Sequence, residues 1–187
     1  MNARLVTHSV TNHIIEEVQR FMGMIDDTGI RTVGKIAVFC KTLYRCVPFV
    51  DAIVERLNLS STETYVQRRE YITCKHVSSG SEVLIRFVAA GAWSTRGFDT
   101  DHMVVIGISL SDRIMVDMVL PLAMQTETTA VVVTDEEIEK GETKLQPLMN
   151  WAFEEVTRER SSAISQTILP LVRLFIVDDA NIKLLRQ

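Results

Sequence analysis

The chain of 187 residues is 47% apolar and 24% charged, with a formal net charge of −4. These values are ordinary for a globular protein, and they exclude a disordered chain, which combines low hydropathy with high net charge. The three cysteines show no CxxC spacing, which argues against a disulfide framework and a zinc ribbon. Because phosphates are bound by an excess of basic side chains, the slight acidic excess argues against nucleic-acid binding.

Length and segment composition together predict one domain over residues 1–187. The first residues contain no apolar core of a signal peptide, and no apolar run reaches the ~20 residues of a membrane helix. We therefore expect a cytoplasmic protein without a membrane partner.

The first third of the chain shows the 3.6-residue period of amphipathic helices. Apolar side chains on this period predict helices over 9–27, 32–46 and 48–58. Pro48 fits the boundary between the last two, because its ring clashes with the preceding helical turn. The interpretation is a helical segment over 9–58.

Beyond residue 65 the apolar period changes to two, which is typical of half-buried strands. The predicted strands are 65–77, 82–90, 103–110, 113–120 and 128–133. Turn-forming residues separate the first strand from the second and the third from the fourth, so each pair predicts a hairpin. The sheet is expected to lie within residues 65–133.

The last third returns to the helical pattern. Thr134 and Glu137 form the capping-box pattern T-x-x-E, which predicts a helix start, and 142–159 is strongly amphipathic. Residues 171–177 fit either a helix or a strand. The C-terminal helices are expected over 135–187.

A run of strands between two runs of helices predicts the α+β class. The expected fold has about five mainly antiparallel strands, flanked by N-terminal helices and C-terminal helices. Helices are expected to cover one face of that sheet.

The stretch GAWSTRGFDTDH, residues 91–102, is the main candidate for a functional site. Asp99, Asp101 and His102 offer two carboxylates and an imidazole, which could hold a divalent metal and activate water. Against this, successive side chains of a strand point to opposite faces, so His102 and Asp101 diverge if a strand begins here. Glycine, serine, threonine and aspartate also favour turns through their backbone preferences, so a plain polar connection remains an alternative.

The same stretch offers groups for a small-molecule or phosphate-bearing ligand. Arg96 could clamp an anion with two hydrogen bonds, Trp93 could stack on a ring, and Asp99 could complete the contacts. Elsewhere histidines suggest little: His8 and His13 are five residues apart, so a helix does not align them on one face.

Two hypotheses of function follow. No nucleophile elbow and no phosphate-binding loop motif is present, so the first is a non-enzymatic interaction or assembly protein. It would form a homo-oligomer, or bind a protein partner, through an apolar helix surface or a sheet edge. The alternative is a binding domain for a small molecule or phosphate ligand, or a metal-dependent hydrolase, using the 91–102 loop. No cofactor is identified, and a divalent metal is possible.

Overall fold

In the computed structural model, helices pack on a mixed β-sheet. The structure describes residues 2–28, 33–58, 62–67, 71–76, 82–89, 99–124, 128–140, 145–159, 166, 168–170 and 172. The helices are α1 (Asn2–Thr28), α2 (Leu43–Asn58), α3 (Leu120–Ala123), α4 (Asp135–Lys140) and α5 (Leu148–Arg158). The strands are β1 (Val33–Cys40), β2 (Thr62–Gln67), β3 (Tyr71–His76), β4 (Glu82–Ala89), β5 (His102–Ile106), β6 (Thr129–Val133) and β7 (Gln146–Pro147).

The described strands form one sheet in the order β2-β3-β4-β1-β5-β6-β7. The four central strands, β4, β1, β5 and β6, run parallel to one another. Antiparallel pairs occur only toward the sides, between β2 and β3, β3 and β4, and β6 and β7, within the described strands. The predicted α+β class with a mainly antiparallel sheet is therefore wrong, and the fold is α/β with a parallel centre.

The error began at the predicted helix 32–46, most of which is the central strand β1. Residues 36–40 of this strand are buried, and β1 is paired on both sides, with β4 and β5. A parallel strand covered on both faces is apolar throughout, so it lacks the alternation that marks a half-buried strand. Periodicity alone cannot distinguish such a run from a buried helix.

A second correction concerns the predicted strand 113–120 and its hairpin with 103–110. A π-helical turn, Met115–Val119, leads directly into α3, and β5 pairs instead with β6. The alternation of apolar side chains in this segment was misleading. The fully buried side chains Met115 and Val119 are four residues apart, which is helical spacing.

Other predictions are confirmed with shifted bounds. The predicted helix 9–27 lies within α1, strand 82–90 is β4, and strand 128–133 is β6. The predicted strand 65–77 is two strands, β2 and β3, and β3 forms the expected antiparallel pair with β4. The helix predicted over 142–159 begins only at Leu148, after β7.

Two apolar clusters lie on opposite faces of the sheet. The first packs α1 and α2 against side chains of the central strands such as Ile36 and Val38. The second packs the π-helical turn, α3 and α5 against alternate side chains such as Ala37 and Phe39. Val172, a described residue of the 171–177 segment, is helical and belongs to this second cluster. None of the described helices is long and apolar enough to cross a bilayer.

Candidate functional site

The two predicted aspartates fasten the end of the 91–102 stretch to β1. The Asp99 carboxylate is exposed and forms an ion pair with the Lys35 side chain. The Asp101 carboxylate accepts a hydrogen bond from the Lys35 backbone N–H at 2.7 Å. Among the described residues, Asp99, Asp101 and His102 do not form a group of ligand atoms close enough to share a metal. Trp93 and Arg96 lie outside the described residues, so their role in ligand binding stays a prediction.

His102 is instead turned toward α1, and both of its ring nitrogens have hydrogen-bond partners. It is the first residue of β5 and only 2% exposed. Its Nδ1 lies 2.6 Å from the Thr129 hydroxyl, and that hydroxyl donates to the Asp101 carbonyl at 3.5 Å. In the tautomer with the His102 proton on Nδ1, that nitrogen donates to the hydroxyl and the hydroxyl donates to the Asp101 carbonyl. In this tautomer the Nε2 atom of His102 carries the free lone pair.

That lone pair faces a second histidine. His13 Nε2 lies 2.9 Å from His102 Nε2, so His13 donates its Nε2 proton to His102. Glu17 is one helical turn beyond His13 on α1, and Arg20 holds its carboxylate with contacts of 2.8 and 2.6 Å. The ligand atoms of His13, Glu17 and His102 all lie within 4.8 Å of one another. We call these three residues the histidine cluster.

Burial keeps both imidazoles of the histidine cluster neutral at pH 7. Loss of solvent lowers the pKa of His102 from 6.5 to about 4. The same effect lowers the pKa of His13, and it outweighs the opposing influence of the Glu17 and Glu16 carboxylates. A neutral imidazole with an accessible lone pair is the form that binds transition metals.

A different set of groups lies at the carboxyl ends of the parallel strands. Lys41 and Thr42 follow β1 directly, and Tyr44 and Arg45 lie in the first turn of α2. Lys41 precedes the helix and Tyr44 and Arg45 lie in its first turn, so all three fall within five residues of chain at the carboxyl end of β1. All three are exposed, and Tyr44 is 86% exposed. We call Lys41, Tyr44 and Arg45 the basic–aromatic group.

Two further segments meet this edge of the sheet. Arg45 forms an ion pair with Asp135, the first residue of α4, at 2.9 Å. Gly107, which follows β5, has φ of +60°, and a Cβ there would lie 2.4 Å from an Asp135 carboxylate oxygen. Glycine therefore allows both the backbone turn and the close approach of the ion pair.

The cysteines contribute no reactive thiol to either edge. Cys40, Cys46 and Cys74 are free and buried. The hydrogen bond with the Cys46 side chain and burial raise the pKa of Cys40 well above its usual value. Burial raises the pKa of Cys74 to about 12. The thiols of Cys40 and Cys74 are therefore protonated at neutral pH, and a protonated thiol is neither a good nucleophile nor a good metal ligand.

Of the histidine cluster, only His102 was predicted from the sequence as a site residue. His13 was set aside because it does not align with His8 on a helix, although it does align with Glu17 in the pattern H-x-x-x-E. That spacing is the signal that could have marked α1. His102 lies 89 residues further along the chain, and only the tertiary structure brings it to His13.

Comparisons with known proteins identify no family for this chain. No family model and no curated protein matches it. Two solved structures are similar: the large terminase ATPase domain of Thermus phage P74-26 and a mutant of that domain. The domain is 16% identical, with a TM-score of 0.45 over 65% of this chain and 51% of that one. The mutant is 13% identical, with a TM-score of 0.45 over 54% of this chain and 47% of that one.

This chain thus spans about half the length of the solved domains it matches. At this level of similarity the match carries no argument about function, which has to be argued from the residues of this chain.

Proposed function

We propose that this protein binds a small phosphate-bearing ligand that contains a ring, at the carboxyl ends of the parallel strands. The observation that carries the proposal is the basic–aromatic group, exposed at the start of α2. The proposal keeps the ligand-binding hypothesis of the sequence analysis but moves the contacts from the 91–102 loop to residues 41–45.

The order of the strands supports this position. β1 lies between β4 and β5, and the chain proceeds from β1 to β4 on one side and then to β5 on the other. In open α/β sheets such a reversal leaves a crevice outside the carboxyl ends of the strands, where ligands commonly bind. Lys41 and Gly107 directly follow the two strands that flank this reversal.

The start of α2 supplies the chemistry for a phosphate. The first N–H groups of a helix have no partner within the helix, and the helix dipole places a partial positive charge there. Lys41 and Arg45 add two full charges at the same end, which suits a phosphate group. The exposed ring of Tyr44 offers a face on which a ligand ring can stack.

Arg45 can exchange its present partner for the ligand. Its ion pair with Asp135 is about half exposed on both sides. Solvent weakens such pairs to roughly 0–1 kcal/mol, which is less than a charged hydrogen bond to a phosphate provides. Asp135 is therefore expected to compete only weakly with the ligand.

Self-association, the first hypothesis of the sequence analysis, remains a prediction. Within the described part of the chain, the exposed large apolar side chains are Val33 and Tyr44. Val33 begins β1 and Tyr44 lies beyond the other end of that strand, so they do not form a continuous apolar patch. Because interfaces need such a patch at their core, the described surface favours ligand binding over assembly.

The test is calorimetric titration of the full chain with adenosine triphosphate, inorganic pyrophosphate and adenosine. We expect the triphosphate to bind most tightly, and both Lys41→Ala and Arg45→Ala to weaken it at least tenfold. Tyr44→Ala should weaken the nucleotide but not pyrophosphate. Arg158→Ala is the matched control, since Arg158 is also an exposed arginine paired with an acidic side chain. Absence of binding, or equal losses in the control, would refute the proposal.

A further inference from the structure

We infer that the histidine cluster, His13, Glu17 and His102, is a binding site for a divalent transition metal of the zinc type. The site is independent of the proposed ligand at residues 41–45. It joins α1, through His13 and Glu17, to the first residue of β5. In the part of the chain that the structure describes, this is the group of three whose ligand atoms lie close enough to share one ion.

The donor set is one that transition metals use. Two imidazoles and one carboxylate hold zinc in hydrolytic sites and hold non-haem iron in oxygenases. Both arrangements leave coordination positions for water or a substrate. Sites for softer metal ions need thiolates, whereas the three cysteines of this chain are buried and none belongs to the histidine cluster. The ligand types therefore favour a borderline ion such as Zn²⁺ or Co²⁺ over Mg²⁺ or Ca²⁺, which prefer oxygen.

The distances suit coordination. His13 and His102 present their Nε2 atoms to each other at 2.9 Å. With metal–nitrogen bonds of about 2.05 Å, two ligands at a right angle lie about 2.9 Å apart and two at the tetrahedral angle about 3.3 Å. An ion can thus enter with only a small separation of the two rings. Glu17 is one turn from His13 on the same face of α1, which brings a carboxylate oxygen within 4.8 Å of both imidazole ligand atoms.

His102 is held in the form that a metal requires. Its Nδ1 lies 2.6 Å from Thr129 Oγ1, and with the proton on Nδ1 this contact leaves the lone pair of Nε2 directed at His13, 2.9 Å away. A hydrogen bond from the distal ring nitrogen to a fixed acceptor is the usual means by which proteins orient a histidine ligand. Thr129 is a positioning residue in this scheme, since it acts through His102.

Metal binding replaces one hydrogen bond and one ion pair. The proton that His13 Nε2 donates to His102 leaves for solvent, and His13 takes a proton on Nδ1, so no net proton is released by the rings. Glu17 moves its carboxylate from Arg20 toward the ion. The Glu17 side chain is 17% exposed and Arg20 is 43% exposed, so solvent reaches this side of the cluster and provides a path for the ion.

The competing interpretation is a buried pair of hydrogen-bonded histidines that only stabilises the fold. The two interpretations differ in one respect: removing a ligand from a metal site abolishes the response to metal, whereas removing a member of a structural pair lowers stability equally with and without metal. The experiment measures both.

The full chain is treated with a chelator, dialysed, and titrated with Co²⁺ while visible absorption is recorded, and then with Zn²⁺ while the melting temperature is recorded. The variants are His13→Gln and Glu17→Gln, which change half-buried positions and leave the buried His102 in place. The matched control is His8→Gln, because His8 is an exposed histidine on the same helix. Thr129→Val removes the acceptor of His102 Nδ1–H.

We expect one Co²⁺ per chain, with an absorption spectrum of nitrogen and oxygen ligation and a Zn²⁺-dependent rise in melting temperature. His13→Gln and Glu17→Gln should each weaken the metal at least tenfold, Thr129→Val about tenfold, and His8→Gln should change nothing. The inference is overturned if the chelated protein takes up no Co²⁺, if His13→Gln binds as tightly as His8→Gln, or if Zn²⁺ leaves the melting temperature unchanged.

Discussion

The two ends of the parallel strands differ in burial and in charge. At the amino end of β5 the histidine cluster places a neutral imidazole in the core, with His102 only 2% exposed. At the carboxyl end, the basic–aromatic group holds full charges in solvent, and Arg45 is balanced by the exposed Asp135. Burial favours the uncharged form of an imidazole, whose lone pair can bind a metal ion. Exposure to solvent keeps lysine and arginine side chains charged. The first environment suits a metal ion and the second suits an anion.

This difference in burial also predicts which substitutions alter folding stability and which alter ligand affinity. Groups at the amino end are enclosed, so changing them should alter the free energy of unfolding. Groups at the carboxyl end are solvated, so changing their charges should alter ligand affinity with little effect on folding. Four predictions test this contrast, from the largest expected effect on stability to the smallest.

The largest effect is expected from pH acting on His102 in metal-free protein. Burial lowers the pKa of His102 to about 4, from 6.5 in the unfolded chain. Between these values the unfolded chain binds more protons, so stability is full above about pH 6.5 and falls as the pH decreases toward 4. At pH 4.5 this amounts to about 2–3 kcal/mol of lost unfolding free energy, measured by urea denaturation at each pH.

The control for this pH effect is His102→Gln, which keeps a polar side chain without the titrating ring. The titratable and charged groups that act on His102, which are Glu17, His13 and Arg20, remain in that variant. Subtracting the two pH profiles isolates the contribution of His102. Identical profiles would show that His102 is not a buried neutral base.

The next effect is expected from Gly107→Ala at the carboxyl end. A side chain at φ of +60° is strained, and the new Cβ would also displace the Asp135 carboxylate from Arg45. We expect a loss of about 1–2 kcal/mol of unfolding free energy, measured by urea denaturation. Gly23→Ala is the matched control: it lies within α1, and beyond its chain neighbours and the backbone of its own helix nothing lies within 4 Å of its Cβ position. There alanine should stabilise by about 0.5–1 kcal/mol, and a loss at both sites would contradict the conformational explanation.

A smaller effect is expected from Thr134→Ala. The capping box that the sequence predicted is present: Thr134 N–H donates to Glu137 at 2.8 Å, and Glu137 N–H donates to the Thr134 hydroxyl at 3.2 Å. Removing the hydroxyl should cost about 1 kcal/mol, measured by thermal unfolding. Thr134→Ser keeps the hydroxyl and should retain most of the stability. If the serine variant falls as far as the alanine variant, the cap is not the source of the effect.

The smallest effect on stability is expected from Asp135→Ala. Its ion pair with Arg45 is about half exposed on both partners, so its loss should change the unfolding free energy by less than about 0.5 kcal/mol. Affinity for pyrophosphate should rise severalfold in the same variant, because Arg45 is released. Calorimetric titration measures this change, and a decrease in affinity would show that Asp135 takes part in binding rather than competing with it.

Local features of the fold could be predicted from the sequence where short-range chemistry determines them. The apolar stripe of α1, the strand β4 and the cap formed by Thr134 and Glu137 depend on residues within one or two turns of each other. The strand β1 could not be predicted, because its burial on both faces follows from α1, α2 and the C-terminal helices packing around it. The π-helical turn was missed because its apolar residues also alternate.

In the candidate sites too, the sequence could identify single residues, whereas only the structure shows which residues they contact. His102 was identified from the sequence, yet as the partner of Asp99 and Asp101, whereas the structure directs both aspartates to Lys35. The basic–aromatic group lies within five consecutive residues, but its place at the carboxyl end of the sheet depends on β1 being a strand that ends at Cys40.

By itself the sequence determined which segments are amphipathic, where a helix is capped, and that the cysteines are not arranged as a disulfide or zinc framework. The tertiary structure decided that the central strands are parallel, and it brought His102 to His13 across 89 residues. The physical reason is the distance along the chain over which each interaction acts. Capping and amphipathicity arise within a few residues, while strand order and the burial that keeps an imidazole neutral depend on what packs around each segment.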